Sequence, residues 1–382
     1  MQTFDELSQF HVVRLNGQLF PVSRYETERY QSYQLQPDVV ECAGTTAILE
    51  QAVDCDALLV VSETLTQDTI AGLQRCRVIA RLGAGTDKID VSEATRQGIL
   101  VTNVPDFCVE EQADHTFALL LSLARKLTPM RTAMQAGQWA DARSQCRSLH
   151  RLNGRTLGLI GFGGSGKLVA QRAAGFGMRI LATRRRPDQQ DPLLAKLGVD
   201  LVTLDALLRR ADYVSLHLPL NEQTRHLLDA ERLAAMQPGA LLINTSRGAL
   251  VDETAVLEAL LDGHLGGYGV DTFDQIDLHH SATADPPSHP LLQLPNVVFT
   301  PHVAAFSEES SRDVAYGAID NLATVLSGRW PPAARIVNPT VTPRQPLTDR
   351  AVRKQTIRQA PHKRTTLSGH IPRVQAPIRL AV

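Results

Sequence analysis

Short, uniformly apolar runs alternate with helical stretches along most of the chain. HVVRL (11–15), DVVEC (38–42), ALLVV (57–61), RVIARL (77–82) and ILVTN (99–103) predict strands. Ahead of the last of these, VSEATRQG (91–98) predicts a helix closed by Gly98. A longer helical pattern over about 109–127 carries Phe117, Leu120, Leu121 and Ala124 on one face and predicts a connector between two halves. The second half repeats the alternation, with strands at TLGLIG (156–161), MRILAT (178–183), DYVSLH (212–217), ALLIN (240–244), YGVD (268–271) and NVVFT (296–300). A final helix over about 309–327 stops near Gly328, ahead of Pro331 and Pro332. Strands apolar along their whole length are covered on both faces. Alternating with helices, they predict an α/β fold with parallel sheets built from βαβ units.

Composition narrows the class without changing that picture. At 382 residues, 43% hydrophobic and 21% charged, the chain has material for two or three domains with sizeable cores. A formal net charge of −1 removes any global field toward nucleic acid or a membrane surface, while leaving small anions as partners. Cys42, Cys55, Cys76, Cys108 and Cys146 are odd in number and show no CxxC spacing. They predict buried thiols in a reducing compartment rather than disulfides, and no metal site. The start, MQTFDELSQF, has no basic, apolar signal pattern. The apolar run FALLLSLA (117–124) falls short of the ~18 residues of a spanning helix, so a cytoplasmic protein is expected. From residue 344 to 382 the character changes to Arg, Lys and Pro with a single acid, Asp349, and predicts a disordered basic tail.

The sharpest chemical signal is GFGGSG (161–166), in which Gly161, Gly163 and Gly166 form GxGxxG after an apolar strand and before a helical segment. Gly161 suits the tight turn, Gly163 the approach of a pyrophosphate, and Gly166 close helix–strand packing. The helix start then offers free N–H groups to phosphates. An NAD site carries an acid ~20 residues further on, for the ribose hydroxyl. Arg184, Arg185 and Arg186 stand there instead and suit a 2′-phosphate, which predicts NADP(H) in preference to NAD(H). His217, Arg247, Asp271 and His302 each fall just beyond a predicted strand, where open α/β sheets bind ligands. One such residue is usually structural; four on successive strand ends point to a site.

Several strings together are similar to the D-isomer-specific 2-hydroxyacid dehydrogenases: RLGAGTDKID (81–90), NVPDFCVEEQADHTFALLLSLAR (103–125), GFGGSG, INTSRGALVDE (243–253), GYGVDTF (267–273) and NVVFTPHVAAF (296–306). The match is colinear over about residues 11–340. The resemblance implies two Rossmann-like domains, one flavodoxin-like and one dinucleotide-binding, with a cleft between them. Residues 1–104, completed by about 303–343, would form the substrate domain, and 105–302 the dinucleotide-binding domain. It implies that Arg247 clamps the carboxylate and carbonyl of a small 2-keto acid, and that backbone N–H groups of Ala84 and Gly85 hold the carboxylate. His302 would be the general acid and base. Gly164, Ser165, Leu218, Thr245, Ser246 and Asp271 match dinucleotide-contacting positions, and a homodimer is expected. An alternative within the family is a dinucleotide-sensing corepressor, whose segment PDFCVEEQADHT resembles. The family's Glu that pairs with the catalytic His falls on Ile276 here. Asp277 is the substitute expected, with Asp274 and Asp285 as rivals.

Overall fold

The computed structural model describes residues 7–276 and 288–348. Two sheets organise them. The first contains β1 (Val12–Leu15), β2 (Asp38–Val40), β3 (Ala57–Val60), β4 (Val78–Arg81) and β5 (Leu100–Thr102), in the order β2-β1-β3-β4-β5. The second contains β6 (Thr156–Ile160), β7 (Arg179–Thr183), β8 (Val199–Leu201), β9 (Tyr213–Leu216), β10 (Ala240–Asn244), β11 (Leu265–Val270) and β12 (Val297–Phe299). Its order is β12-β11-β10-β9-β6-β7-β8. Every pairing in both sheets is parallel. The α/β fold class with two Rossmann-like parallel sheets is thus the observed one, the first sheet in flavodoxin-like order.

Eleven of these strands coincide with apolar runs; β8 does not. Its three residues carry exposed Asp200 at their centre, so no apolar run marks it. The long helical pattern also ends early. The helix spans Val109–Ala124, and Lys126 turns left-handed (φ 53°) before a separate helix, Leu127–Gln135.

Both faces of each sheet are covered. Ile48, Ile70 and Ile79 pack on one side of the first sheet; Leu59 and Leu100 meet Ile319 and Leu322 of the helix Glu308–Leu326 on the other. That late helix therefore completes the core of the earliest strands. Fully buried aliphatic side chains of this kind each contribute about 1.5–3 kcal/mol. The second sheet is sandwiched between Leu207, Leu216 and Val256 on one face and Phe117, Leu157 and Val169 on the other. The helix Val109–Ala124 belongs to this second lobe. Leu119 Cβ would lie 3.1 Å from a Cβ placed on Gly269, and Leu123 Cδ2 3.1 Å from one on Gly267, so the glycines of β11 let the helix close on the sheet.

Arg344, the first residue of the expected basic tail, is pinned to the first lobe. Its guanidinium donates to Gln97 O (2.6 Å), Leu73 O (2.7 Å) and Cys76 O (3.2 Å). The tail beyond residue 348 lies outside the described residues. Among the described residues, no helix is long and apolar enough to cross a membrane, and no cluster of three or more His, Cys, Asp or Glu side chains is placed to hold a metal ion. All five thiols are free; Cys55 and Cys76 are buried, and Cys146 is exposed.

Candidate active site

Between β6 and β9 the strand order reverses, opening a crevice at the carboxyl ends. The glycine loop fills that crevice and leads into the helix Gly164–Gly175. Gly161 has φ +106°, and a Cβ there would lie 2.2 Å from His217 O. A Cβ on Gly166 would lie 2.4 Å from Gly161 O. Packing alone therefore forbids side chains at both positions. Gly163 differs: nothing lies within 4 Å of a Cβ there, so the fold itself has no need of a glycine. An open glycine beside the free N–H groups of a helix start fits a phosphate-bearing dinucleotide.

His217 lies beneath this loop, its ring between Ser215 Oγ (2.9 Å from Nε2) and Ser165 Oγ (3.3 Å from Nδ1). Burial holds the imidazole neutral and pushes its pKa down to about 4. Leu218 lines the same turn, its Cδ2 3.0 Å from where a Cβ on Gly161 would sit, while Val109 approaches the same point on Gly164 to 3.1 Å. Thr245 and Ser246 are buried after β10: Thr245 Oγ1 meets Thr116 Oγ1 at 2.9 Å, and Ser246 Oγ donates to Leu216 O at 2.7 Å.

After β7 the three arginines divide. Arg184 folds back to close its own turn, donating to Pro187 O (3.0 Å) and Gln189 O, with Asp191 at 3.7 Å. Its Nε is buried with no hydrogen-bond partner. Arg185 and Arg186 are exposed.

The other candidates converge at the ends of β10, β11 and β12. Arg247 donates from Nε to Asp87 Oδ1 (3.1 Å) and from Nη1 to Ser246 O (2.8 Å). Burial works to raise the Asp87 pKa, but the Arg247 guanidinium, a backbone N–H and Arg81 together outweigh it and hold the carboxyl below its ordinary range. Gly85 lies against the same guanidinium, where a Cβ would sit 1.7 Å from Arg247 Nη2. The loop bearing Ala84 and Gly85 is itself braced, by Asn103 Nδ2 donating to Ala84 O (2.6 Å) and Arg81 Nε to Gly85 O (3.1 Å). Burial, then repulsion from Arg247, lowers the Arg81 pKa to about 10.

Asp271 is fully buried and ties down the loop that carries His302. It accepts from Thr300 Oγ1 (2.5 Å), Val303 N (2.9 Å) and Ala304 N (2.9 Å). His302 has left-handed backbone (φ 58°) and donates its N–H to Asp271 O at 2.8 Å. Whatever else Asp271 does, it positions His302. Arg247, His302, Asp271, Ala84 and Gly85 all line one cavity of about 420 Å³. Cys108 also lines it, but burial and the nearby Glu111 push its thiol up to about 12, so it is no thiolate at neutral pH.

Ile276 lines the adjoining crevice with Arg247 and His302. The Asp274 carboxylate meets Arg225 (3.9 Å) and His226 (3.7 Å), and its backbone N–H donates to the buried Glu253 (2.9 Å). Asp277 and Asp285 lie outside the described residues. Sequence reading passed over Asp87, Arg81 and Asn103. All three stand in or beside the quoted strings RLGAGTDKID and NVPDF, but their partners are brought to them by folding, so spacing carries no sign of the pairing.

Residues 117–304 match the family model "D-isomer specific 2-hydroxyacid dehydrogenase, NAD binding domain". A glyoxylate reductase of Korarchaeum cryptofilum is 40% identical over 303 residues, 78% of this chain and 87% of that protein. Among solved structures, the TT0316 protein of Thermus thermophilus superposes with a TM-score of 0.73 at 35% identity, over 85% of this chain and 99% of that one. A D-lactate dehydrogenase of Aquifex aeolicus, complexed with NAD and lactic acid, gives 0.75 at 25% identity, over 86% and 99%.

Proposed function

The chain belongs to the D-isomer-specific 2-hydroxyacid dehydrogenase family, and on that premise we propose that it interconverts a 2-keto acid and a D-2-hydroxy acid with a nicotinamide dinucleotide, NADP(H) in preference to NAD(H). One observation carries the reading: Arg247 and His302 line a single cavity together with the Ala84–Gly85 loop, which lies against the Arg247 guanidinium. The Arg247 fork and the Ala84 and Gly85 N–H groups hold the substrate carboxylate, with Arg247 also reaching the carbonyl oxygen. The bound dinucleotide supplies the hydride in reduction and accepts it in oxidation. His302 gives a proton to the keto oxygen as negative charge grows there, and takes it back in reverse. Arg247 stabilises the same developing charge. Both charged groups thus act most strongly where the reaction creates an alkoxide.

The preference for NADP(H) draws support from the end of β7, where arginines replace an acid and Arg185 is exposed. Two lobes are assigned as 1–104 with 303–343 for substrate and 105–302 for dinucleotide, a division supported by the core that β1 and β3–β5 share with the helix Glu308–Leu326. A homodimer is supported by Leu127, Met134 and Trp139, exposed on neighbouring helices of the second lobe. The free thiols accord with a reducing, cytoplasmic setting. The test is oxidation of NADPH and NADH by the purified chain against a panel of 2-keto acids. Turnover faster with NADPH is expected. Tight dinucleotide binding without turnover of any keto acid would sink the enzyme reading and favour a dinucleotide-sensing regulator.

A further inference from the structure

The cavity that holds Arg247 and His302 does not end at them. It runs on into the first lobe, where Phe20, Leu82, Phe107, Phe306 and Val314 form apolar walls. These residues come from the loop before the helix Arg24–Ser32, the end of β4, the crossing into the second lobe, and the loop and first turns of the helix Glu308–Leu326. No residue of the glycine loop lines the cavity, so this extension lies on the side of the first lobe and away from the dinucleotide crevice. The cavity, about 420 Å³ in all, includes Thr245 and Asp271 at the dinucleotide end, so the apolar extension past Arg247, rather than the total volume, is the space that bears on the substrate side chain. Ser23, Ser62, Ser310 and Ser311 also line the cavity, but apolar side chains make up most of its lining, and water against them finds few partners.

The far wall also has its charges cancelled. Arg14, 2% exposed, forks onto Glu26 through Nε (3.2 Å) and Nη2 (3.4 Å). Its Nη1 donates to Leu15 O (3.0 Å) and Asn16 O (2.9 Å). Glu26 additionally accepts from Ser23 N (3.1 Å) and Tyr30 Oη (3.2 Å). At that wall, a phosphate or second carboxylate on the substrate would meet a cation whose charge Glu26 already neutralises; the other lining cation, Arg81, sits beside the Arg247 end and donates to Gly85 O. An uncharged side chain meets matching walls.

Resting on the dehydrogenase reading, we propose that the substrate is a 2-keto acid with a bulky apolar side chain, branched aliphatic or aromatic, seated in this chamber beyond Arg247. One buried methylene changes discrimination by ~10–200-fold at most, so filling the chamber separates such acids clearly from glyoxylate.

The experiment compares kcat/KM for glyoxylate, pyruvate, 4-methyl-2-oxopentanoate and phenylpyruvate with each reduced dinucleotide. At least a tenfold advantage of one of the last two over glyoxylate is expected. Glyoxylate or pyruvate as the fastest substrate would overturn the chamber proposal and leave the dehydrogenase reading standing. Turnover of none of the four withdraws that reading, and the proposal with it. Two variants then locate the effect: Val314→Trp, which fills the chamber, and Phe306→Ala, which opens a wall at a residue that is 61% exposed and so outside the core. Both should lower the ratio of bulky-acid to glyoxylate kcat/KM severalfold; an unchanged ratio in both would place the side chain elsewhere.

Discussion

The strand ends of β10–β12 and the end of β7 are built on different terms. At the ends of β10–β12 the candidate residues and their loops are braced: Arg247 by Asp87, the His302 loop by Asp271, and the Ala84–Gly85 loop by Asn103 and Arg81. At the end of β7, Arg184 is occupied by its own turn, and Arg185 and Arg186 stand in solvent. One end is organised by the fold alone; at the other, two cations stand exposed. Preorganisation of this kind is what electrostatic catalysis requires, whereas a ribose phosphate can be gripped by mobile cations with less loss of rate.

The largest test of that contrast is Arg247→Gln. Loss of a fork aimed at developing charge should lower kcat/KM by ~10³ with dinucleotide affinity unchanged. A matching loss of affinity would erase the distinction between the two ends. Next comes acid. His217 is neutral in the fold, with a pKa near 4 against an ordinary 6.5, so protons favour the unfolded chain. Its contribution is complete above pH 6.5 and drains away as the pH falls toward 4, by about 3 kcal/mol. Urea midpoints from pH 7 to pH 4 should show it, and His217→Gln should flatten that limb.

A smaller effect separates two glycines that look alike in sequence. Gly161→Ala meets His217 O and a left-handed backbone, and should cost about 1–3 kcal/mol of stability. Gly163→Ala meets nothing, so its melting temperature should hold while dinucleotide binding weakens. Equal melting losses would mean that the loop is wholly structural. Last, Arg185→Ala should reduce the NADPH-over-NADH preference by ~10-fold. Arg184→Ala should act mainly through the turn it closes. If Arg184 rather than Arg185 governs the preference, its guanidinium must leave Pro187 O and Gln189 O when cofactor binds.

Most of the architecture could be read from the chain because a buried parallel strand writes itself as an apolar run, and eleven did so. β8 escaped although the equally short edge strands β2, β5 and β12 did not, because exposed Asp200 sits at its centre and breaks the run. The helix break at Lys126 escaped since a left-handed lysine looks like any other lysine. Within the site, strand-end position singled out Arg247, Asp271 and His302, because topology makes strand ends into crevices. What they bond to was not legible: Asp87 and Arg247 are neighbours only after two lobes have folded. The division of labour among the three arginines was hidden likewise, being decided by where a turn's carbonyls point.

The clearance between Gly85 and Arg247 links two distant codons. Any side chain at position 85 would occupy the space of the arginine's Nη2, so a mutational map of this protein should show position 85 as intolerant for reasons that belong to position 247. The two positions are coupled through that one contact. A lineage that relinquished the arginine would release the glycine as well, and drift at position 85 would then be the visible trace of a lost reaction.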